Sequence, residues 1–433
     1  MVANTQNNKL IVLINIMYLL VGMLVSIMSA LIPNMIESFH ISYTLAAALP
    51  FAFYLSFTFL SIPAGIANEK ISSKKMLLFS LWIALLGVLL FVVFLDYFTS
   101  VVSLFIIGSA IAIIQVSTVP LLRRICGAGN FAFHSTLNQL IYGVGAFLSP
   151  IVFSFLTVNL INKKSDQYFL FHYLSLIIPA GYDWVSAYWL IALLIVATLI
   201  ITTVTKFPSG TPEISGDEKN AYWKLMKNKY VIFYFIALVA YASCEQGNAV
   251  WMSKFFQDYY ALDPLTSGAS ILSWYWILLS CGCLAGMLCL KLFDSRKVLA
   301  VFTVLAILSF TLGIYANVGI AKIAYPLVGL FESVMWPIIL SLAINSVNKN
   351  HETLTGCMFT ATIGGALGPF IIGSLGDRWG LHTSLHYIYL PLLVVLSVAF
   401  WAKPLISNRT IRDISVKDTN DEEEQHTRYN LGT

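Results

Sequence analysis

Charge is what this sequence has least of: 11% of its 433 residues are Asp, Glu, Lys or Arg, against about a quarter in an ordinary soluble domain. That scarcity excludes water as the main solvent. Cysteine is also sparse. Of the six, Cys244, Cys281, Cys283, Cys289 and Cys357 fall in or beside apolar runs and Cys126 follows a polar break, which is the pattern of buried free thiols rather than of a disulfide framework or a metal site. Cys281 and Cys283, one residue apart, point about 200° away from each other on a helix. Metal-ligand histidine pairs, a Gly-x-Ser-x-Gly elbow and a nucleotide-binding loop are missing, so the common embedded-enzyme chemistries have no residues to run them. No Lys or Arg lies near the middle of an apolar run, and an anionic ligand would want such a partner.

What is present is hydrophobic length. Apolar residues make up 58% of the chain and come in runs of about 18 to 25, the length a helix needs to cross the hydrocarbon of a bilayer. Twelve spans are expected near 11–32, 45–67, 76–95, 101–122, 132–156, 184–205, 230–252, 267–290, 298–316, 323–346, 355–376 and 384–402. Met1 to Lys9 lead into a first span longer than a secretory h-region, so a retained helix is expected. Basic residues favour the cytoplasmic side of short loops. With both termini inside, 20 of the 25 Lys and Arg fall on that side, the exceptions being Lys163, Lys164, Lys254, Lys322 and Arg378. The net charge of +4 therefore follows topology and offers no basic face to nucleic acid.

A polar stretch around 206–229, holding Pro208, Gly210, Pro212 and Gly216, divides the chain near its middle. Its Trp223 and spaced lysines suit a short amphipathic helix on the membrane surface. The two sides of this divide repeat one another. Gln115 precedes Pro120 by five positions, and Glu332 precedes Pro337 by five; Gly143, Gly145 and Ala146 lead to Pro150, and Gly364, Gly365 and Ala366 lead to Pro369; Gly65 is followed at the fifth position by Lys70, and Gly286 by Lys291. The copies are offset by 217 to 221 residues. The expected fold is an all-α membrane protein, twelve transmembrane helices in two pseudo-symmetric six-helix bundles. Its parts are an N-terminal bundle 1–205, a cytoplasmic linker 206–229, a C-terminal bundle 230–402 and a cytoplasmic tail 403–433 whose acidic end carries no core. Parallel six-span repeats are the plan of transporters that rock two halves about a central site.

These motifs resemble the major facilitator superfamily. Gly65, Glu69-Lys70 and Lys74-Lys75 are similar to its loop signature of a glycine, an acid-base pair and a basic cluster, and Gly373, Asp377, Arg378 and Gly380 repeat the spacing; the resemblance implies a gating latch at Gly65, Glu69, Lys70, Lys74, Asp377 and Arg378. More narrowly, Gly329-Leu330-Phe331-Glu332-Ser333-Val334-Met335-Trp336-Pro337, then Ser341 to Ile344 and Ile363 to Ala366, resemble the tenth and eleventh helices of the fucose-proton symporter family, which includes glucose and galactose carriers. Gln115 to Pro120, Leu137, Gln139 and Pro150 resemble its fourth and fifth. Two departures stand out. Ser29 stands ahead of Leu31-Ile32-Pro33 where that family carries an acid, and Gln115 stands where proton-coupled fucose carriers have a glutamate.

Carboxylates in mid-bilayer cost several kcal/mol unless they meet a wet cavity or a partner, which makes them functional candidates. Here they are Glu245, within Ser243-Cys244-Glu245-Gln246-Gly247-Asn248, and Glu332, the counterpart of Gln115. Both are proton-coupling candidates, one of them expected to bind and release the coupling proton, with sodium as the alternative ion, and the polar run around Glu245 is expected to open its helix locally. A neutral sugar would find hydroxyl partners in Gln115, Asn138, Gln139, Gln246 and Asn248 and ring faces in Tyr142, Trp251 and Trp336. The expected function is a monomeric secondary transporter of a neutral monosaccharide in the cell membrane, without cofactor, metal or nucleic-acid partner. The alternative is an efflux carrier of an organic cation or other amphiphile, since two carboxylates among aromatics would suit that cargo too.

Overall fold

The computed structural model describes residues 2–162, 169–207, 227–346, 354 and 357–403. Within a bilayer every main-chain N–H and C=O must be satisfied inside the segment, and the described chain answers with helices and no strands. Twelve of these are long and apolar enough to cross a membrane. We number them α1 (Val2–Phe39), α2 (Tyr43–Lys70), α3 (Ser73–Val93), α4 (Tyr97–Cys126), α5 (Leu137–Ile161), α6 (Ser186–Val204), α7 (Lys229–Tyr260), α8 (Ala269–Leu292), α9 (Ser295–Tyr315), α10 (Val318–Ile344), α11 (Cys357–Trp379) and α12 (Leu381–Trp401). Each coincides with one of the twelve expected spans, and several overrun it by a turn or more. The 206–229 stretch lies mostly outside the described residues, as does the tail beyond residue 403.

The ends are set by local chemistry. Asp96, Asn228, Asp294 and Asn317 each accept a main-chain N–H of the first turn they precede, which satisfies one of the orphan donors there. At Asp96 the Thr99 hydroxyl and then its N–H hold the carboxyl below the usual carboxylate range. His40 and Ala261, with φ of 50° and 52°, close α1 and α7 in the left-handed region. The helix expected to open does not: α7 is continuous. Among the described residues α11 and α12 tighten into 3-10 turns at Thr360–Ile363 and Leu385–Ile388, and α10 is interrupted between Glu332 and Met335. Pro337 is the reason, because its missing N–H leaves the Ser333 carbonyl without a helical donor; the Cys283 thiol of α8 points at that carbonyl from 3.6 Å.

Glycine contacts display the internal repeat in three dimensions. A Cβ on Gly108 of α4 would lie 2.2 Å from the Phe53 carbonyl of α2, and one on Gly329 of α10 would lie 2.5 Å from the Tyr275 carbonyl of α8. Likewise Gly145 of α5 sits on the Leu19 carbonyl of α1, and Gly364 and Gly368 of α11 sit on the Val239 and Ser243 carbonyls of α7. Such seams let helix backbones meet where no hydrophobic force separates lipid from protein. Between the bundles, α2 lies along α11 and α5 along α8.

Gly22 completes the α1–α5 seam, and a Cβ there would be 2.0 Å from the Tyr142 carbonyl. Gly22→Ala is expected to destabilise the protein by about 1–3 kcal/mol, the ordinary cost of overpacking. Gly65→Ala, whose nearest neighbour would be Val116 at 3.9 Å, should melt at the temperature of the parent in detergent. Equal melting of both variants would contradict the seam.

Candidate functional site

The two intramembrane carboxylates occupy different surroundings, and helix phase is the cause. On α7, Cys244, Asn248 and Trp251 recur at spacings of four and three and share one stripe; Tyr241 and Glu245 form another, about 100° round the helix. The first stripe turns into the second bundle. Glu332 meets it there, fully buried, its Oε1 accepting from the Cys244 thiol and the Asn248 amide, each at 2.8 Å, and its Oε2 from the Tyr275 hydroxyl at 2.6 Å. This carboxylate ties α10 to α7 and α8.

Glu245 lies on the second stripe and is only half-buried. Tyr241 donates to its Oε1 at 2.8 Å, and the Gln246 amide stands 3.4 Å from Oε2. Beside it, Gln246 and Tyr54 of α2 both pack on Gly365 of α11, each 3.2 Å from where a Cβ would stand, which brings the first bundle to this stripe. Trp336 continues the wall, its ring 6.0 Å from that of Tyr241 and 5.8 Å from that of Phe359. Trp276 meets Tyr142 edge-on at 6.4 Å. Tyr275 bonds both acids' neighbourhoods, donating to Glu332 and lying 3.3 Å from the Glu245 carbonyl. Two buried polar atoms here have no partner in the protein, Gln246 Oε1 and the Tyr54 hydroxyl; Asn248 Oδ1 on the inward stripe and Asn138 Oδ1 on α5 have none either. Unpaired polar atoms at a bundle junction suit a hydroxylated ligand or water.

The other expected site residues divide. Gln115 and Tyr142 are half-buried and Gln139 is exposed. Asn248 and Trp251 are fully buried on the inward stripe: the Asn248 amide is spent on Glu332, and the Trp251 indole N–H on the Pro369 carbonyl at 3.0 Å. Neither offers a free donor. Tyr54, Tyr241 and Tyr275 join the site although sequence reasoning singled out none of them, and so does Cys244, read there as a buried free thiol; the four-residue spacing of Tyr241 and Glu245 was the available signal.

The expected gating loop separates as well. Gly65 lies near the C-terminal end of α2, whereas Asp377 touches the N-terminal end of that helix, accepting from the Tyr43 and Thr44 N–H groups. The similar spacings thus sit at opposite ends of the protein. Lys74 stays within the first bundle, donating to the Thr203 and Thr205 carbonyls at 2.7 and 2.8 Å and capping the C-terminus of α6. Arg378 is exposed, and the side chains of Glu69 and Lys70 lie outside what is described.

Residues 14–359 match the family model of the Major Facilitator Superfamily. The chain belongs to that superfamily. A glucose/galactose transporter of Brucella abortus is 24% identical over 401 residues, covering 90% of this chain and 92% of its own length. The L-fucose-proton symporter of Escherichia coli is 22% identical over 368 residues, covering 81% and 83%. Among solved structures, the Escherichia coli fucose:proton symporter has a TM-score of 0.63 at 19% identity, covering 91% of this chain and 98% of that one. A bacterial homologue of the human lysosomal transporter Spinster has a TM-score of 0.77 at 11% identity, covering 90% and 96%. Members of the superfamily such as these are membrane transporters, and the chain is not an enzyme.

Proposed function

We propose that this superfamily member is a secondary active transporter of a neutral monosaccharide, a hexose or deoxyhexose, moving it by alternating access with proton coupling through Glu245. The observation that carries this is a half-buried carboxylate on α7 that accepts from the Tyr241 hydroxyl, beside the place where Gln246 and Tyr54 of α2 meet on Gly365, with Gln246 Oε1 and the Tyr54 hydroxyl unpaired. Amides and carboxylates serve sugar hydroxyls, and aromatic faces serve the apolar side of the ring. The sugar-transporting relatives support the substrate class. Both termini are taken as cytoplasmic in the cell membrane, in line with the distribution of basic residues, and the working unit as a monomer. A proton is preferred to sodium because both Glu245 oxygens already face protein donors, the Tyr241 hydroxyl and the Gln246 amide.

Reconstituted proteoliposomes test this. Labelled glucose, galactose, mannose and fucose, each with an imposed proton or sodium gradient, are expected to give uphill uptake of at least one sugar under the proton gradient. Unlabelled lipophilic cations should not compete. The same acid within an aromatic cage would also suit an organic cation, so competition by cations without uptake of any sugar would establish that alternative and end the sugar proposal.

A further inference from the structure

Three consecutive aromatic residues on α8 face three ways, because successive residues turn about 100° on a helix. Trp274 is exposed. Tyr275 is fully buried, donating to Glu332 and lying 3.3 Å from the Glu245 carbonyl. Trp276 turns to the first bundle, where its ring meets that of Tyr142 of α5 edge-on, and one turn further along α8 the Ser280 hydroxyl packs on Gly143 of α5. It therefore stands where α8 and α5 join the two bundles, next to the residue that reaches the Glu245 turn. Its indole is sealed there. Only 1% of Trp276 is exposed, and its N–H has no acceptor among the described residues. The other two buried indoles are paired: Trp184 donates to the Ser38 hydroxyl and Trp251 to the Pro369 carbonyl, each at 3.0 Å. An unpaired buried donor is costly, and native proteins leave few of them.

The unpaired groups where the bundles meet are complementary in kind. Asn138 Oδ1, one turn before Tyr142 on α5, and Gln246 Oε1 on α7 can only accept, and the Tyr54 hydroxyl can do either. The Trp276 N–H can only donate. A ligand that satisfies all of them must give hydrogen bonds and also take at least one. A hydroxyl does both, whereas an ammonium group only gives. We propose that Trp276 is a specificity-determining residue of this transporter, its indole N–H donating to one oxygen of the bound monosaccharide once the α5–α8 seam parts to admit the ligand. That role rests on the sugar reading above and deepens it, because a buried donor of this kind favours an oxygen-rich neutral cargo over an organic cation.

W276F keeps an aromatic ring and removes the donor. In proteoliposomes its half-saturation concentration for the labelled sugar is expected to rise about tenfold, the loss of one buried hydrogen bond, with the maximal rate within about twofold of the parent. Competition by the series of monodeoxy forms of that sugar then locates the oxygen. The one deoxy sugar that lacks it should bind the parent and W276F alike, while the others keep the difference between the two proteins. W276H, whose ring retains an N–H, should fall between parent and W276F and keep the discrimination among deoxy sugars. An unchanged half-saturation in W276F, a loss spread evenly over the deoxy series, or a W276H protein that discriminates no better than W276F overturns the proposal and leaves the sugar reading in place. A parent protein that takes up no monosaccharide ends both.

Discussion

Glu245→Gln is expected to abolish proton-driven accumulation while leaving exchange of labelled for unlabelled sugar across the membrane. Gln still offers an oxygen to the Tyr241 hydroxyl, now 2.8 Å from Glu245 Oε1, so the wall of the site keeps its shape. What disappears is the ability to take up a charge and release it. One elementary charge moved through 100 mV stores about 2.3 kcal/mol, which can hold a solute gradient of about fortyfold. Uptake driven by a potential of that size should fall from that order to equality inside and out, with counterflow retained. Uphill transport by the Gln variant would remove Glu245 from the coupling step. Tyr241→Phe provides a graded companion: it removes a donor that favours the ionised form, so the pH midpoint of transport should move upward.

Glu332→Ala is expected to do something different, damaging the fold before the transport cycle. The substitution strands the Cys244 thiol, the Asn248 amide and the Tyr275 hydroxyl in a pocket with no exposure. Interhelical hydrogen bonds within membranes average about 0.6 kcal/mol and reach about 1.7. Three of them, with the cavity left by the side chain, amount to about 2–4 kcal/mol. The measurable result is a clear fall in detergent melting temperature and in the yield of monodisperse protein. Glu332→Gln, which keeps one carbonyl acceptor, should recover part of the loss. A Glu332→Ala protein that melts with the parent but cannot accumulate sugar would instead make this acid a coupling group.

The contrast between the two acids marks the limit of what the sequence discloses. Both were legible as intramembrane carboxylates, because a charge in an apolar run is conspicuous without any structure. Their different environments were not. The stripes Cys244-Asn248-Trp251 and Tyr241-Glu245 can be drawn on a helical wheel, but the wheel does not say which stripe turns toward α10 and which toward α2 and α5. Asn248 and Trp251 looked available for the same reason. The twelve spans and the repeat were readable from hydrophobic length and from proline and glycine spacing, both local properties. Gly108 and Gly329 belong to the repeat too, yet their equivalence emerges only from the carbonyls they touch. The Asp377 contact joins residues 334 apart, and spacing along the chain assigned that acid to a motif at the wrong end. Around Glu245 the polar run suggested an opened helix, whereas α7 stays intact: Ser243, Cys244 and Asn248 find partners on other helices, and Glu245 finds Tyr241 one turn back on its own.

The glycine seam of α11 leaves little room for slip. Gly364 and Gly368 rest on α7 within two turns before Glu245, and Asp377 stands at the far end of the same rod, nine residues beyond Gly368 or about 13 Å of helix rise. A tilt of α7 passed along that seam would swing the far end, so a single helix links the neighbourhood of Glu245 in the middle of the protein to a contact with α2 at its surface.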